Sequence, residues 1–353
     1  FFAFFVVLRM FGACLRIRRH ESKGSDLSSI WQYVGGDTSQ MNVGPEHPHH
    51  HHHHHHHKNK NKNKNNTEDG ILEGTVSSGS NLGPKISFCT GVMNRLPHLQ
   101  KTLLTNIEAT KGYNVEFAIL DYNSSDGFKE WIMEHMKEHL KSGKIKYSRE
   151  TSASKFHMAK VKNLAHRHST GDILVSLDGD NYVDAETCQL LLRAYARNPN
   201  AVYHGWSGTW ADGTCGRVAI PRSVFWKVGG YDEEFAPYGF EERDLIARCH
   251  HLNIQYMRVP WKASAFELQG DHTDRAGEQQ LNQMNLLQSR NNIAAGKFIA
   301  NLTNGWGAGK VVHYWPHKHK EVEYQPIAPP EPDLEENDRV GSLSKMVFMG
   351  YYW

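Results

Sequence analysis

Two aspartates separated by one glycine, Asp178-Gly179-Asp180, follow the apolar run ILVSL, and two glutamates, Glu241 and Glu242, follow the turn-forming run APYGF. A pair of acids on a turn can offer hard oxygen donors to a divalent cation whose other ligands are diphosphate oxygens. A carboxylate across from such a site can take the proton of an attacking hydroxyl. Each feature also has a plain structural reading. An Asp after a strand often caps a turn, and acids in the first turn of a helix favour its macrodipole. A different chemistry is spelled by His135-Met136-Lys137-Glu138-His139, an HxxEH spacing by which one helix can hold zinc on two histidines while Glu activates water. The helix that would carry it buries Phe128, Ile132, Met136 and Leu140, so both histidines fall on a flank beside Lys137 and Lys141. A solvated face explains that pattern more simply than a peptidase.

The elements that must position these residues begin at Lys85, where apolar strands and amphipathic helices alternate, the pattern of an α/β layer fold. KISFC predicts a first strand, and a helix from Pro97 carries Leu99, Leu103 and Ile107 on one stripe. VEFAIL predicts a second strand that ends at Asp121, and a helix follows Asp126. KIKYS is a third strand, followed by a basic helix with Lys160, Lys162 and Arg167. GDILVSL is a fourth, which delivers Asp178 at its carboxyl end, and Asp184 opens the next helix. In open α/β sheets, ligands bind outside the carboxyl ends of the strands, so Asp121 and Asp178 are expected on one rim. A short helix is expected near Glu241 and a longer one from about Thr273.

Three segments are expected: residues 1–84, a single catalytic domain over 85–315, and a Pro-rich acidic tail over 316–353. The first contains the run His49 to His57 and alternating Lys and Asn to Asn66, which cannot bury a core and is predicted to be disordered. The histidine run could bind a transition metal, but it reads more simply as a solvated tract. The opening FFAFFVVLRMFGACLRIRR lacks an initial Met, and Arg9 interrupts an apolar stretch shorter than the ~20 residues that span a bilayer. A truncated signal-anchor and a gene-model artefact both fit, so the compartment stays open between the cytoplasm and a Golgi-type membrane. Sequons at Asn65 and Asn301 matter only in a secretory lumen.

Composition excludes some functions. The chain has 40 basic and 38 acidic residues, nine and seven of which precede Lys85, so the rest is formally neutral and no nucleic-acid partner is implied. Five cysteines without a CxxC spacing argue against a disulfide scaffold or a cysteine zinc cage, although one pair, such as Cys188 with Cys215, is compatible with them.

Four blocks make the sequence recognisable: GVMNRLPHLQKTL, FHMAKVKNLAHRHSTGDILVSLDGD, GRVAIPRSVFWKVGGYDEEFAPYGFEERDLIARC and DHTDRAGEQQLNQ. Their order over about residues 85 to 292 resembles GT-A-fold glycosyltransferases, nearest to glycosyltransferase family 2 and the β-1,4-galactosyltransferase type. The resemblance implies an α/β fold with a Rossmann-like, mixed and mostly parallel sheet flanked by helices. It also implies a nucleotide-sugar donor, with a UDP-sugar expected, a glycan or other hydroxyl acceptor, and Mn²⁺ or Mg²⁺ as cofactor. By the same likeness Arg95 touches the nucleotide, Asp121 and Phe156 meet the base, and Lys160 sits near the donor. Asp178 and Asp180 form the DxD that binds ribose and metal, and His272 completes the metal shell. Glu242 is the general base beside Glu241, which implies direct displacement with inversion, and Tyr238 lies against the acceptor sugar.

Trp206 and Trp210 are further candidates for the acceptor cleft, whereas Phe225 and Trp226, in the apolar run VFWKV, read as core. Met158 stands where such sequences often carry an arginine for the diphosphate, which passes that contact to Lys155, Lys160 or Lys162. Phe240 replaces a glycine of the acceptor motif, and Glu242 stands where close relatives use aspartate. A binding module that kept the fold without turnover is the remaining rival, because fold alone does not establish catalysis.

Overall fold

The computed structural model describes residues 83–206, 215–259 and 275–330. Within them the chain forms nine strands and eight helices: β1 (Ile86–Val92), α1 (Leu96–Ala109), β2 (Val115–Tyr122), α2 (Phe128–His135), α3 (Lys137–Lys141), β3 (Ile145–Glu150), α4 (Met158–His168), β4 (Ile173–Ser176), α5 (Ala185–Arg197), β5 (Val202–His204), β6 (Val218–Pro221), α6 (Arg222–Lys227), α7 (Glu241–His251), β7 (Tyr256–Arg258), α8 (Arg275–Ala294), β8 (Gly309–Trp315) and β9 (Lys318–Tyr324).

The strands make one sheet in the order β7-β5-β6-β4-β1-β2-β3-β8-β9. β1 pairs in parallel with β2 and β4, and β2 with β3; only β6 and β8 run against the rest. The sequence predicts this mixed, mostly parallel sheet flanked by helices, and the chain forms it. Every residue of β2 is buried because the sheet is covered on both faces, and side chains along a strand alternate between those faces. Phe88, Phe117 and Ile119 join Leu99, Leu103, Ile132 and Leu191 from α1, α2 and α5. On the other face Cys89, Ala118 and Leu120 meet Val161, Leu164, Phe225, Leu245 and Ile246 from α4, α6 and α7. Phe225 is fully buried and Trp226 partly so, both in the second cluster.

Local chemistry sets the helix starts. Asp184 caps α5 by accepting a bond from the Thr187 amide at 2.8 Å, and Pro97 sits in the first turn of α1, where no amide is needed.

Three expectations change. The helix after Asp126 is interrupted at Met136, whose φ and ψ of −108° and 19° end α2 and start α3. The boundary expected at Trp315 falls inside a hairpin, because β9 pairs with β8 along its whole length and Trp306 bridges to Ile327. Its lysines and glutamates are exposed on an edge strand, so the stretch reads as polar tail although its backbone is paired. Finally, Cys89, Cys188, Cys215 and Cys249 are all free thiols, which removes the Cys188–Cys215 pairing. No helix among the described residues is long and apolar enough to cross a membrane.

The candidate active site

A cavity of about 870 Å³ opens at the carboxyl ends of β1 and β4. The turn that carries its paired acids is fixed from α1. Thr102 donates to the Gly179 carbonyl at 2.7 Å, and Asn106 donates to the Asn181 carbonyl at 3.0 Å. Asn181 in turn donates to Asp180 Oδ1 at 2.6 Å and accepts from the buried Arg217 at 2.5 Å. The turn is thereby anchored through its backbone, while Asp178 and Asp180 both face the cavity. Burial raises the pKa of each carboxyl, and Asp178 raises that of Asp180 further by like-charge repulsion.

Glu241 and Glu242 open α7 and line the same cavity. The residue before them, Phe240, has a φ of 71°, a left-handed conformation that a glycine would adopt freely and that is strained for a bulky side chain by about 1–3 kcal/mol. Burial of the Phe240 ring, 6% exposed, offsets that strain and turns the chain into α7 with both acids directed inward.

Lys162 of α4 meets them. Its Nζ donates to Glu241 Oε1 at 3.1 Å and also to Glu242 Oε1, with all three side chains buried. One ammonium thus stands among three carboxyls. Burial works against its charge, but Glu242, Glu241 and Asp178 outweigh it and hold the lysine pKa well above its ordinary value. For Glu242, burial and the charge on Glu241 push the pKa up, against the pull of Lys162. The acid pair after β4 and the acid pair of α7 converge over Gly216. A Cβ there would lie 2.5 Å from Asp178 Oδ2 and 3.5 Å from Glu242 Oε1.

Of the other residues singled out from the sequence, Arg95, Phe156 and Tyr238 line the cavity. Phe156 meets Tyr122 edge to face at 6.2 Å, and Tyr238 is 36% exposed. Asp121 does not line it: the carboxylate is fully buried and accepts from the Ser124 amide at 2.7 Å, the Tyr147 hydroxyl at 2.7 Å and Arg149 at 3.1 Å. Lys160 is exposed and lies outside the lining, since two residues along a helix turn its side chain to the far side from Lys162. Lys155 is likewise exposed, so Lys162 is the one of the three lysines that reaches the cavity. Trp206 is engaged through its ring, with the Arg243 guanidinium 5.4 Å from its centroid, and does not line the cavity. His272 and Trp210 lie outside the described residues.

The sequence reading passed over Glu278, Gln279 and Asn282 of α8, which also line the cavity. They lie within the DHTDRAGEQQLNQ block, but nothing in that block points to these three side chains, and only the placement of α8 beside the 236–240 turn brings them to the cavity. The partnership of Lys162 with Glu242, 80 residues apart, had no sequence signal either.

The acid pair fits a hard divalent cation. Asp178 and Asp180 present oxygen donors on one anchored turn that faces the cavity, and a cation there would offset the burial that raises both carboxyl pKa values. Among the described residues no group of three Asp, Glu, His or Cys side chains forms a metal cage, so further ligands would have to come from a bound diphosphate or from elsewhere in the chain.

The HxxEH segment is not arranged as a metal site. The break at Met136 separates its two histidines, the His135 Nδ1 donates to the Trp131 carbonyl at 3.1 Å, and Glu138 pairs with Lys141 at 2.8 Å. The sequon at Asn301 is also internally engaged. Its side chain, 6% exposed, donates to the Gly229 and Tyr231 carbonyls and accepts from the Glu233 amide.

A parallel-centred α/β sheet with an acid-lined cavity at its carboxyl rim is the arrangement in which open α/β sheets bind their ligands. Residues 87–253 match the family described as Glycosyl transferase family 2. No curated protein matches the chain significantly. Among solved structures, the chain is similar to the mannosyltransferase PcManGT from Pyrobaculum calidifontis in complex with GDP-Man and Mn²⁺. The identity is 17%, the TM-score 0.47, and the match covers 60% of this chain and 64% of that one. It is similar to S. aureus TarS 1-349 in complex with UDP-GlcNAc at 16% identity and TM-score 0.42, covering 53% and 60%. For GalNAc-T7 with UDP, GalNAc and Mn²⁺ the values are 16% and 0.45, covering 54% and 45%. The chain thus spans less than two thirds of the length of each of these three. The matches do not single out the β-1,4-galactosyltransferase type.

Proposed function

We propose that the chain is a metal-dependent, inverting glycosyltransferase that moves a sugar from a nucleotide-sugar, with UDP-sugars the expected donors, to a hydroxyl of a glycan or other acceptor. The observation that carries this reading is the convergence of Asp178 and Glu242 over Gly216 in one cavity. It puts an acid pair suited to the donor's diphosphate side within reach of a carboxylate suited to the acceptor.

Asp178 and Asp180 would hold Mn²⁺ or Mg²⁺, which when bound supplies positive charge to a departing diphosphate. Arg95 and Phe156 are assigned to the nucleotide, Phe156 by stacking on the base and Arg95 by its charge. Glu242 is the base. It accepts the proton of the acceptor hydroxyl as the oxygen attacks the anomeric carbon, the bond to the nucleotide breaks, and the configuration at that carbon inverts. Lys162 serves this step by donating to Glu242, which favours the ionised form a base requires against the burial that raises the Glu242 pKa. Glu241 accepts from the same ammonium and is buried beside it, which fixes Lys162 in place.

The test is calorimetric titration of UDP with and without Mn²⁺, followed by transfer and hydrolysis assays over a set of nucleotide-sugars. Asp180→Asn should abolish Mn²⁺-dependent UDP binding, whereas Glu242→Gln should keep binding and remove transfer. UDP affinity that is indifferent to metal would refute the assignment. Metal-dependent binding without turnover on any donor would instead identify a binding module.

A further inference from the structure

The polar residues of α8 divide into two sets. On the side packed against the protein, each is consumed. Asn285 bonds the 236–239 backbone, Ser289 donates to Asp244 at 2.8 Å, and Asn292 donates to Asp232 at 3.3 Å. On the side facing the cavity, Glu278, Gln279 and Asn282 have no hydrogen bond or salt bridge among the described residues, and neither does the Tyr238 hydroxyl. The two groups of side chains are contiguous, because a Cβ at Gly239 would lie 2.8 Å from Asn282 Oδ1.

This wall combines one aromatic face with two amides and one carboxylate. A sugar ring offers what such a wall can satisfy: C–H groups for the Tyr238 ring, and hydroxyls that donate to Glu278 and exchange bonds with Gln279 and Asn282. Its charge is one-sided. Burial first, and then the charges of Glu278, Glu241, Asp178 and Glu242, push the Tyr238 hydroxyl up to about 12. Two of the basic side chains that line the cavity are already engaged. Lys162 is bound by Glu241 and Glu242, and Arg243 lies over the rings of Trp206 and Phe240 at 5.4 and 5.7 Å.

We infer that Glu278, Gln279 and Asn282 form, with Tyr238, a subsite for an uncharged polyhydroxylated acceptor, and that Glu278 excludes carboxylated sugars. The inference rests on the proposed transfer reaction only in calling the bound sugar an acceptor. Like-charge repulsion at a partly desolvated carboxylate is a common device for rejecting a near-isosteric anion.

The test uses the full chain and matched pairs of methyl glycosides: glucoside with glucuronide, and galactoside with galacturonide. Binding is read by saturation-transfer NMR, with and without UDP and Mn²⁺, and UDP binding is measured on the same samples. At least one neutral glycoside should bind, with a preference over its uronide partner that falls about tenfold in Glu278→Gln. Gln279→Ala and Asn282→Ala should weaken the neutral sugar, and Glu134→Gln, an exposed carboxylate on α2, should leave the preference alone. Absence of binding by every neutral glycoside, or a preference unchanged in Glu278→Gln, overturns the subsite. Sugar binding without metal-dependent UDP binding would uphold it and refute the donor assignment, while the converse result would do the opposite.

Discussion

The ammonium of Lys162 and the carboxylate of Glu241 stand 3.1 Å apart with side-chain exposures of only 6% and 5%, although 79 residues separate them in the chain. Breaking a buried ion pair by removing one partner typically costs about 3–5 kcal/mol, because the other charge is left uncompensated. Lys162→Met should therefore lower the urea-unfolding free energy by about that amount. It should also move the acidic limb of the pH–rate profile upward, since Glu242 loses the side chain that favours its ionised form both by charge and by a direct bond. A profile unchanged in position would show that Lys162 does not act on the base.

Asn285 holds the turn that leads into α7. Its amide nitrogen lies 3.1, 3.0 and 2.7 Å from the carbonyls of Ala236, Tyr238 and Gly239, and its Oδ1 accepts from the Ala236 amide at 2.7 Å. Asn285→Ala should cost about 2 kcal/mol by leaving buried backbone groups unpaired. Steady-state kinetics should show a raised acceptor KM with donor affinity unchanged. Asn285→Asp should be no better than alanine, because it keeps the bond from the amide but turns an anion toward three carbonyls.

Gly216→Ala places a methyl group against the far end of the Asp178 side chain, which can rotate away at little cost to folding. Thermal unfolding should change little, with stability altered by less than about 1 kcal/mol. Mn²⁺-dependent UDP affinity should nevertheless drop by about tenfold or more, as Asp178 leaves its place beside Asp180. Wild-type affinity in this variant would mean that Asp178 does not contribute to the cation site.

Acid stability should depend on Glu116, which is buried on β2 far from the cavity lining. Burial opposes its charge, but bonds from Lys85 at 2.5 Å, Ser87 at 2.7 Å and Thr170 prevail and hold its pKa at about 2, below the ordinary 4.5. A depressed carboxyl pKa contributes stability that is present above 4.5 and lost as pH falls toward 2. With partial exposure of Lys85 allowed for, that contribution is about 1–2 kcal/mol. The urea midpoint of the wild type should fall through this window, and Glu116→Gln should begin lower and fall less steeply.

The alternation of strands and helices from β1 to α5 was legible because each element carries its own periodicity. The apolar runs of β1, β2 and β4 and the Leu99, Leu103, Ile107 stripe needed no partner to be recognised. Asp178 and Asp180 could be picked out for the same reason, as two acids on a turn that follows a buried strand. The interruption at Met136 was not legible, since Ile132, Met136 and Leu140 keep a helical spacing across it and all three are buried. β9 escaped because an exposed edge strand of Lys and Glu carries no burial pattern.

Asp121 illustrates the limit most sharply. Its position at a strand's carboxyl end was correct, yet the rim holds more than one environment, and Tyr147 and Arg149 from the neighbouring β3 engage its carboxylate inside the protein. By itself, the amino-acid sequence determined the layer architecture, the turn with paired acids and the acid pair that starts α7, because all of these are encoded in contiguous residues. Only the tertiary structure decided that Lys162 neutralises part of that second pair, that Gly216 lets the two acid pairs meet, and that α8 supplies the remaining wall. Those contacts join residues tens of positions apart, and burial and charge depend on which surfaces the fold presses together.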